Sequence, residues 1–268
     1  MRTREERHER RQEKREDRKQ YFFAIRELTS REIKRKYARS YLGILWSVLN
    51  PLLSMTVISL IFSTMFKRSI DNFPLYFLTG QTMWGFFSTA TNTSMNALVD
   101  NKNLLIKGRL PKYAFVLSRI YTAVVNLGYS LVAYFIMLIV FQAMPCWMML
   151  LFPLDLLLLL LFAMGISFVL SILYVFFADI KYLYSVLLTL WMYLSAIFYP
   201  VDRLPEYMTK VLEYNPIYLS IYIARDCMVY GNVPDLIAWV KLAAWAAGSL
   251  AVGIHVFKKY ENNVMQKI

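Results

Sequence analysis

Apolar residues fall in six long runs along the chain: Leu45–Phe66, Phe73–Thr93, Ala114–Phe141, Pro153–Phe177, Leu183–Tyr199 and Leu236–Phe257. A helix needs about 20 mostly apolar residues to cross the hydrocarbon core. The pattern therefore predicts an all-α, polytopic membrane protein with six transmembrane helices. The third and fourth runs are long, which tilting accommodates. The fifth is short and ends in Tyr and Pro, as at a membrane interface.

The segments between and before these runs have patterns of their own. Residues 1–20 mix nine Lys/Arg with six Asp/Glu and have no apolar face, so they read as a charged tail, either disordered or a solvated helix. From Tyr21 the period changes. Phe22, Ile25, Leu28, Ile33, Tyr37, Tyr41 and Ile44 recur at helical spacing, with Arg31, Lys34, Arg35 and Arg39 between them. That is an N-terminal amphipathic helix suited to the headgroup region of an anionic leaflet. In the 94–113 connection, Met95, Leu98, Val99, Leu104 and Leu105 are helically spaced before Gly108 and Pro111, a stop and a fresh start. The 200–235 connection carries five acids and three bases and is divided at Asn215-Pro216, which predicts one or two short amphipathic helices. The expected division is thus a charged tail over 1–20 and a transmembrane domain over 21–268.

Charge orients the spans. Of 30 Lys and Arg, 24 fall in the N-terminal segment, the second and fourth connections and the C-terminal tail, against five on the opposite side. By the positive-inside rule both termini are cytoplasmic. The net charge of +12 is then mainly a topology signal and not a nucleic-acid footprint; the basic tail interleaves acids and has no aromatic to stack on bases. The nearly all-charged N-terminus lacks the apolar core of a cleavable signal peptide, so the first span is expected to act as an uncleaved anchor. Cys146 and Cys227 both fall outside the expected spans; they are either a single bridge or two plain thiols, and have no metal-ligand spacing.

Candidate chemistry is sparse. No glycine is followed by lysine, so there is no phosphate loop; there is no dinucleotide fingerprint and no H-E-x-x-H. His8 and His255 do not form a pair. We therefore expect no catalytic residue, no metal and no cofactor in this chain; any ATP and Mg would be bound by another polypeptide. Ion-coupled carriers need ionisable groups at mid-membrane depth. Asp155, Asp179, Arg119 and Lys241 all lie towards span ends. The spans do offer aromatics: Tyr184, Trp191 and Phe198 at sevenfold spacing in span five, with Tyr182, Tyr193 and Tyr199 on other faces, and Trp46 with Asn50 opening span one. Such rings can stack on sugars or serve as interfacial belts and packing. The polar run of span two, including Thr79, Gln81, Thr82, Ser88 and Thr89, is expected to supply interhelical hydrogen bonds.

Several stretches together resemble the ABC-2-type permeases of polysaccharide exporters, the family of O-antigen and teichoic-acid permeases. They are REIKRKYARSYLGILWSVLNPL at 31–52, NKNLLIKGRLP at 101–111, FADIKYL at 177–183, YPVDRLP at 199–205 and EYNPI at 213–217. The resemblance covers about residues 25–268. It implies a homodimer in the bacterial plasma membrane with two copies of a separate ABC ATP-binding subunit on the cytoplasmic side. It implies a cytoplasmic coupling helix, with Leu98, Val99, Asp100, Lys102, Leu104, Leu105, Lys107 and Arg109 meeting that subunit and Leu104 and Leu105 as apolar anchors. By the same resemblance Arg31, Arg35, Tyr37 and Arg39 belong to an interfacial gate helix, and Trp46, Asn50, Tyr184, Trp191, Phe198 and Tyr199 line the passage. Asn215, Pro216 and Arg225 belong to outer gate helices between spans five and six. Two positions depart from the family: Ala178 stands where Arg is frequent, and Ala196 where Pro is frequent.

The implied function is export of a lipid-linked polysaccharide or teichoic-acid-like polymer, in contact with membrane lipid and not with nucleic acid. An ABC-2 exporter of drugs or lipids is the alternative within transport. A membrane-embedded glycosyl- or acyltransferase is the alternative outside it; that chemistry calls for a clustered acid or histidine at one membrane face.

Overall fold

The computed structural model describes residues 4–38, 40–66, 70, 72–107, 110–142 and 147–267, with side chains placed from Tyr21 onward except at 63–66, 107 and 203. Every regular element among the described residues is helical. Arg39, Arg109, Cys146 and the side chain of Lys107 lie outside this set, as does any pairing of Cys146; Cys227 is a buried free thiol.

The order is α1 (Arg4–Tyr37), α2 (Leu45–Phe66), α3 (Phe73–Met95), α4 (Ala97–Asp100), α5 (Lys102–Lys107), α6 (Lys112–Val140), α7 (Phe152–Phe176), α8 (Ile180–Tyr193), α9 (Glu206–Leu212), α10 (Pro216–Arg225) and α11 (Leu236–Lys267). Helix starts follow local chemistry. Asn72 accepts the Leu75 amide ahead of α3, with Pro74 in the first turn. Asn215 accepts the Ile217 amide ahead of Pro216 at the start of α10. Pro51 inside α2 leaves the Ser47 carbonyl without its usual amide donor.

Three elements differ from the sequence reading. The helix starting at Arg4 runs unbroken through Tyr37 and crosses the boundary expected at residue 20; its Glu, Arg, Lys and Gln are good helix formers. The fifth apolar run yields only a 14-residue helix, about 21 Å long. Turns take over at 194–199, where Ala196 has φ 49°. A proline ring fixes φ near −65° and excludes that conformation. The last helix continues ten residues past the expected Phe257, because Val264 finds a fully buried site.

Four helical stretches among the described residues are long and apolar enough to cross a membrane: Leu45–Phe62, Lys112–Val140, Trp147–Phe176 and Leu236–Lys267. The 23-residue α3 is long enough but more polar, and it packs against α2, α6, α7, α8 and α10. A helix enclosed by protein has no need of a lipid-compatible surface.

α7 and α11 share the most extensive packing. Gly165 and Gly253 bring their backbones together, so that a Cβ on either would collide with the other helix. One core, around Phe77, Phe87, Phe162 and Ile221, fills the larger part of the bundle. A second joins Leu98, Leu105, Phe115, Phe168, Phe257 and Val264, so that the ends of α7 and α11 are packed against α4, α5 and the start of α6.

Candidate functional site

The α4–α5 segment is split into an inner and an outer face. Leu98 and Leu105, seven residues apart, are buried in the second core. Val99 and Ile106, also seven apart, face outward with Leu104; Ile106 is 58% exposed. Of the two expected anchors, Leu104 is therefore on the surface and Leu105 is inside. Ile106 was missed, although its spacing from Val99 marks it. Asn101 closes the break between the helices by donating to the Ala97 carbonyl at 2.8 Å. Lys102 is exposed beside it.

α1 lies along α6. The Thr29 hydroxyl is buried and donates to the Ser118 carbonyl at 3.1 Å, and Leu28 packs on the second core. Arg31 and Arg35 are exposed; Lys36 donates to Asn126 at 3.3 Å, and the Tyr37 hydroxyl bonds to that of Ser47. Sequence reasoning did not find the groups that meet beneath α1. Arg119 Nε is 2.9 Å from Glu32 Oε1, and its Nη2 donates to Asp100 Oδ2 at 2.9 Å. The Thr122 hydroxyl donates to the other Glu32 oxygen at 3.1 Å. Burial pushes the Glu32 carboxyl above its ordinary range; Arg119 and the Thr122 hydrogen bond oppose that shift.

Two adjoining cavities, of about 590 and 530 Å³, open among α1, α3 and α6; α2 completes the wall of the larger and the end of α4 that of the smaller. Lys36, Thr89, Ala123 and Asn126 line both. Trp46 and Asn50 border the larger one, opposite Gln81, Thr82, Ser88 and Ser130. The polar run of α3 thus has two uses. Thr79 bonds to Tyr134 at 2.9 Å and Thr91 accepts from Tyr184 at 2.6 Å, which are interhelical bonds. Thr82 and Thr93 bond back to their own helix, and Gln81, Thr82, Ser88 and Thr89 face the cavity.

The aromatics of α8 lie apart from Trp46 and Asn50. Tyr184 is buried at its bond to Thr91. Trp191 packs edge-on against Phe87 and Phe162, and Phe198 packs on Phe77. Tyr199 donates to the Tyr193 carbonyl. The outward face of α8 is instead Tyr182, Val186, Leu190 and Tyr193.

The end of α8 is held by two polar side chains. Asn215 accepts from the Trp191 indole at 2.8 Å and donates to the Leu194 carbonyl at 2.8 Å. Arg225, itself buried, donates to the carbonyls of Ala196 at 3.0 Å, Ile197 at 3.2 Å and Tyr76 at 3.3 Å. Pro216 is buried at the start of the helix that carries Arg225.

Residues 24–229 match the family described as ABC-2 type transporter. The chain belongs to that family. It is 31% identical over 240 residues to the O-antigen export system permease protein RfbA of Myxococcus xanthus, covering 86% of this chain and 92% of the relative. A Klebsiella pneumoniae protein of the same description is 27% identical over 208 residues, covering 77% of this chain and 80% of the relative. The polysialic acid transport protein KpsM of Escherichia coli is 23% identical over 248 residues, covering 90% and 95%. The apolar helices thus belong to a multi-pass ABC-2 transporter, a class that works with an ABC ATP-binding subunit. In this ABC-2 chain the outward apolar face of α4–α5, the cavity behind α2 and the clasp at the end of α8 are three separate features along the bundle.

Proposed function

We infer that this chain is the permease subunit of an ATP-driven exporter that moves a lipid-linked polysaccharide, of O-antigen or teichoic-acid type, out of the cytoplasm. The reading rests on relatives described as O-antigen and polysialic acid transport proteins that match over most of the chain. α3 and α8 complete six passes with the four apolar stretches, and both termini lie in the cytoplasm of a bacterial plasma-membrane protein. Two copies of the chain form the passage, with the exposed faces of α2 and α8 towards each other. Two ATP-binding subunits, which hold ATP and Mg, dock from the cytoplasm.

The observation that carries the docking is the exposed apolar face of Val99, Leu104 and Ile106, set on a segment whose other face is locked into the second core. An apolar patch backed by rigid packing is what a partner groove can grip. Replacing Leu104 and Ile106 by Asp is expected to abolish copurification of the ATPase subunit while leaving membrane insertion intact. A complex that survives both changes sinks the assignment. Leu105→Asp is the wrong probe, because it buries a charge in the core.

A further inference from the structure

One guanidinium joins the two cytoplasmic elements that the proposed function places furthest apart in role. Arg119 is on α6, its side chain only 20% exposed, with Glu32 of α1 on one side and Asp100 at the end of α4 on the other, each at 2.9 Å. Glu32 is 19% exposed and is also held by Thr122. These are the ion pairs that tie α1 and α4 to the bundle among the described residues. The other ion pairs lie elsewhere, within α9 and between Lys241 and Glu213.

We propose that Arg119 is a positioning residue that transmits displacement of the α4–α5 segment to α1, so that docking-face motion and α1 motion are one event. The proposal rests on the proposed function. The physical basis is the geometry of the fork. Nη2 donates to Asp100, while Nε meets Glu32 as an ion-pair contact without hydrogen-bond geometry; one extended planar cation thus touches two carboxylates at once, which a compact ammonium cannot do with the same geometry. A partly buried charge left behind when one carboxylate moves is costly, so the second carboxylate is drawn along. Asp100 is half exposed and sits at the edge of the docking face, where a partner can displace it. Glu32 is on the helix whose C-terminal residues Lys36 and Tyr37 border the cavity behind α2.

The test uses the full complex, reconstituted with its ATPase subunit and with lipid-linked glycan from its own host. Polymer exported per ATP hydrolysed is measured for R119Q, R119K, E32Q and D100N, and for E32Q and D100N combined with R119Q. We expect export per ATP to fall roughly fivefold or more in R119Q, within the usual range of coupling energies. E32Q and D100N are expected to lose coupling too, and neither deepens the loss of R119Q. R119K recovers only part of it. Unchanged export per ATP in R119Q, or losses that multiply in the double variants, overturns the proposal. Should R119Q fail to accumulate, E32Q and D100N are combined with each other instead, and losses that multiply in that pair overturn the proposal equally. Failure of the unaltered chain to hold the ATPase or to export glycan would count against the proposed function and not against this relay.

Discussion

The Arg225 guanidinium lies over the Tyr76 ring at 3.3 Å from its centroid, and Arg225 also donates to the Tyr76 carbonyl. This buried cation has no carboxylate partner among the described residues; carbonyl oxygens and an aromatic face take that place. Three of those bonds reach elements distant in sequence, so the side chain fixes the turn after α8 to α3 and α10.

Replacing Arg225 by Ala takes the Arg225 donor from the buried Ile197 carbonyl and leaves the Ala196 carbonyl with the longer 3.4 Å bond from the Tyr76 hydroxyl. Each unmet buried group costs about 1–3 kcal/mol, and the lost cation–π contact adds to that. We expect R225A to lose roughly 3 kcal/mol or more, read as a lowered unfolding midpoint of the detergent-solubilised chain. R225K, with one compact donor head, is expected to fall between R225A and the parent. A midpoint for R225A equal to the parent would show that the clasp bears no load.

The contact of Gly165 with Gly253 gives a sharper steric prediction. A Cβ on Gly165 would overlap the Ser249 backbone, and one on Gly253 the Gly165 carbonyl. Backbone cannot rotate aside as a side chain can, so G165A is expected to push α7 and α11 apart at a cost of about 1–3 kcal/mol. Gly128 has open space around it, so G128A is the control and should match or exceed the parent, since alanine is the better helix former. Thermal unfolding of the three proteins side by side decides the matter; equal loss in both variants would remove the steric explanation.

Much of this fold was legible in the sequence because the length of an apolar run acts residue by residue. The six apolar runs map onto α2, α3, α6, α7, α8 and α11, and the division read at Asn215-Pro216 is where α10 begins. What was not legible depends on partners distant in the chain. The end of α8 at Tyr193 reflects a left-handed Ala196 whose carbonyl is bonded by Arg225, 29 residues away. Leu104 and Leu105 look alike as neighbours, and only the packing of Phe115 and Val264 decides that Leu105 turns inward. Arg119 reads as a charge at a span entrance until Glu32 and Asp100 are brought to it.

The cavity behind α2 leads to a labelling prediction. Ser54 and Gln81 line it with Asn50 and Asn126, polar groups that are costly to enclose unless water reaches them. On the proposed orientation, cysteine placed at Ser54 or Gln81 is expected to react with a cationic thiosulfonate reagent added on the cytoplasmic side. Cysteine at Ser167, which is fully buried in α7, is expected to stay unlabelled. Signal from Cys146 and Cys227 is subtracted using the parent chain. Labelling of Ser54→Cys no faster than Ser167→Cys would mean that the cavity is closed to water.

Glu32 links the inner ion pairs to pH. Burial raises its carboxyl above the ordinary value of 4.5, and Arg119 with Thr122 only partly offset that. A group whose pKa is raised in the folded state contributes stability that is full below the unfolded value and is lost as pH rises through the folded one. The parent protein should therefore lose stability relative to E32Q as pH is raised from about 4 to about 7. An attractive ion pair strong enough to outweigh desolvation would give the opposite slope. Unfolding midpoints of the two proteins across that range separate the cases. The expected sign means that the carboxylate costs stability at neutral pH, as partly buried ion pairs often do. A stability cost at that position fits a group that positions α1 against Arg119 rather than one that holds the bundle together.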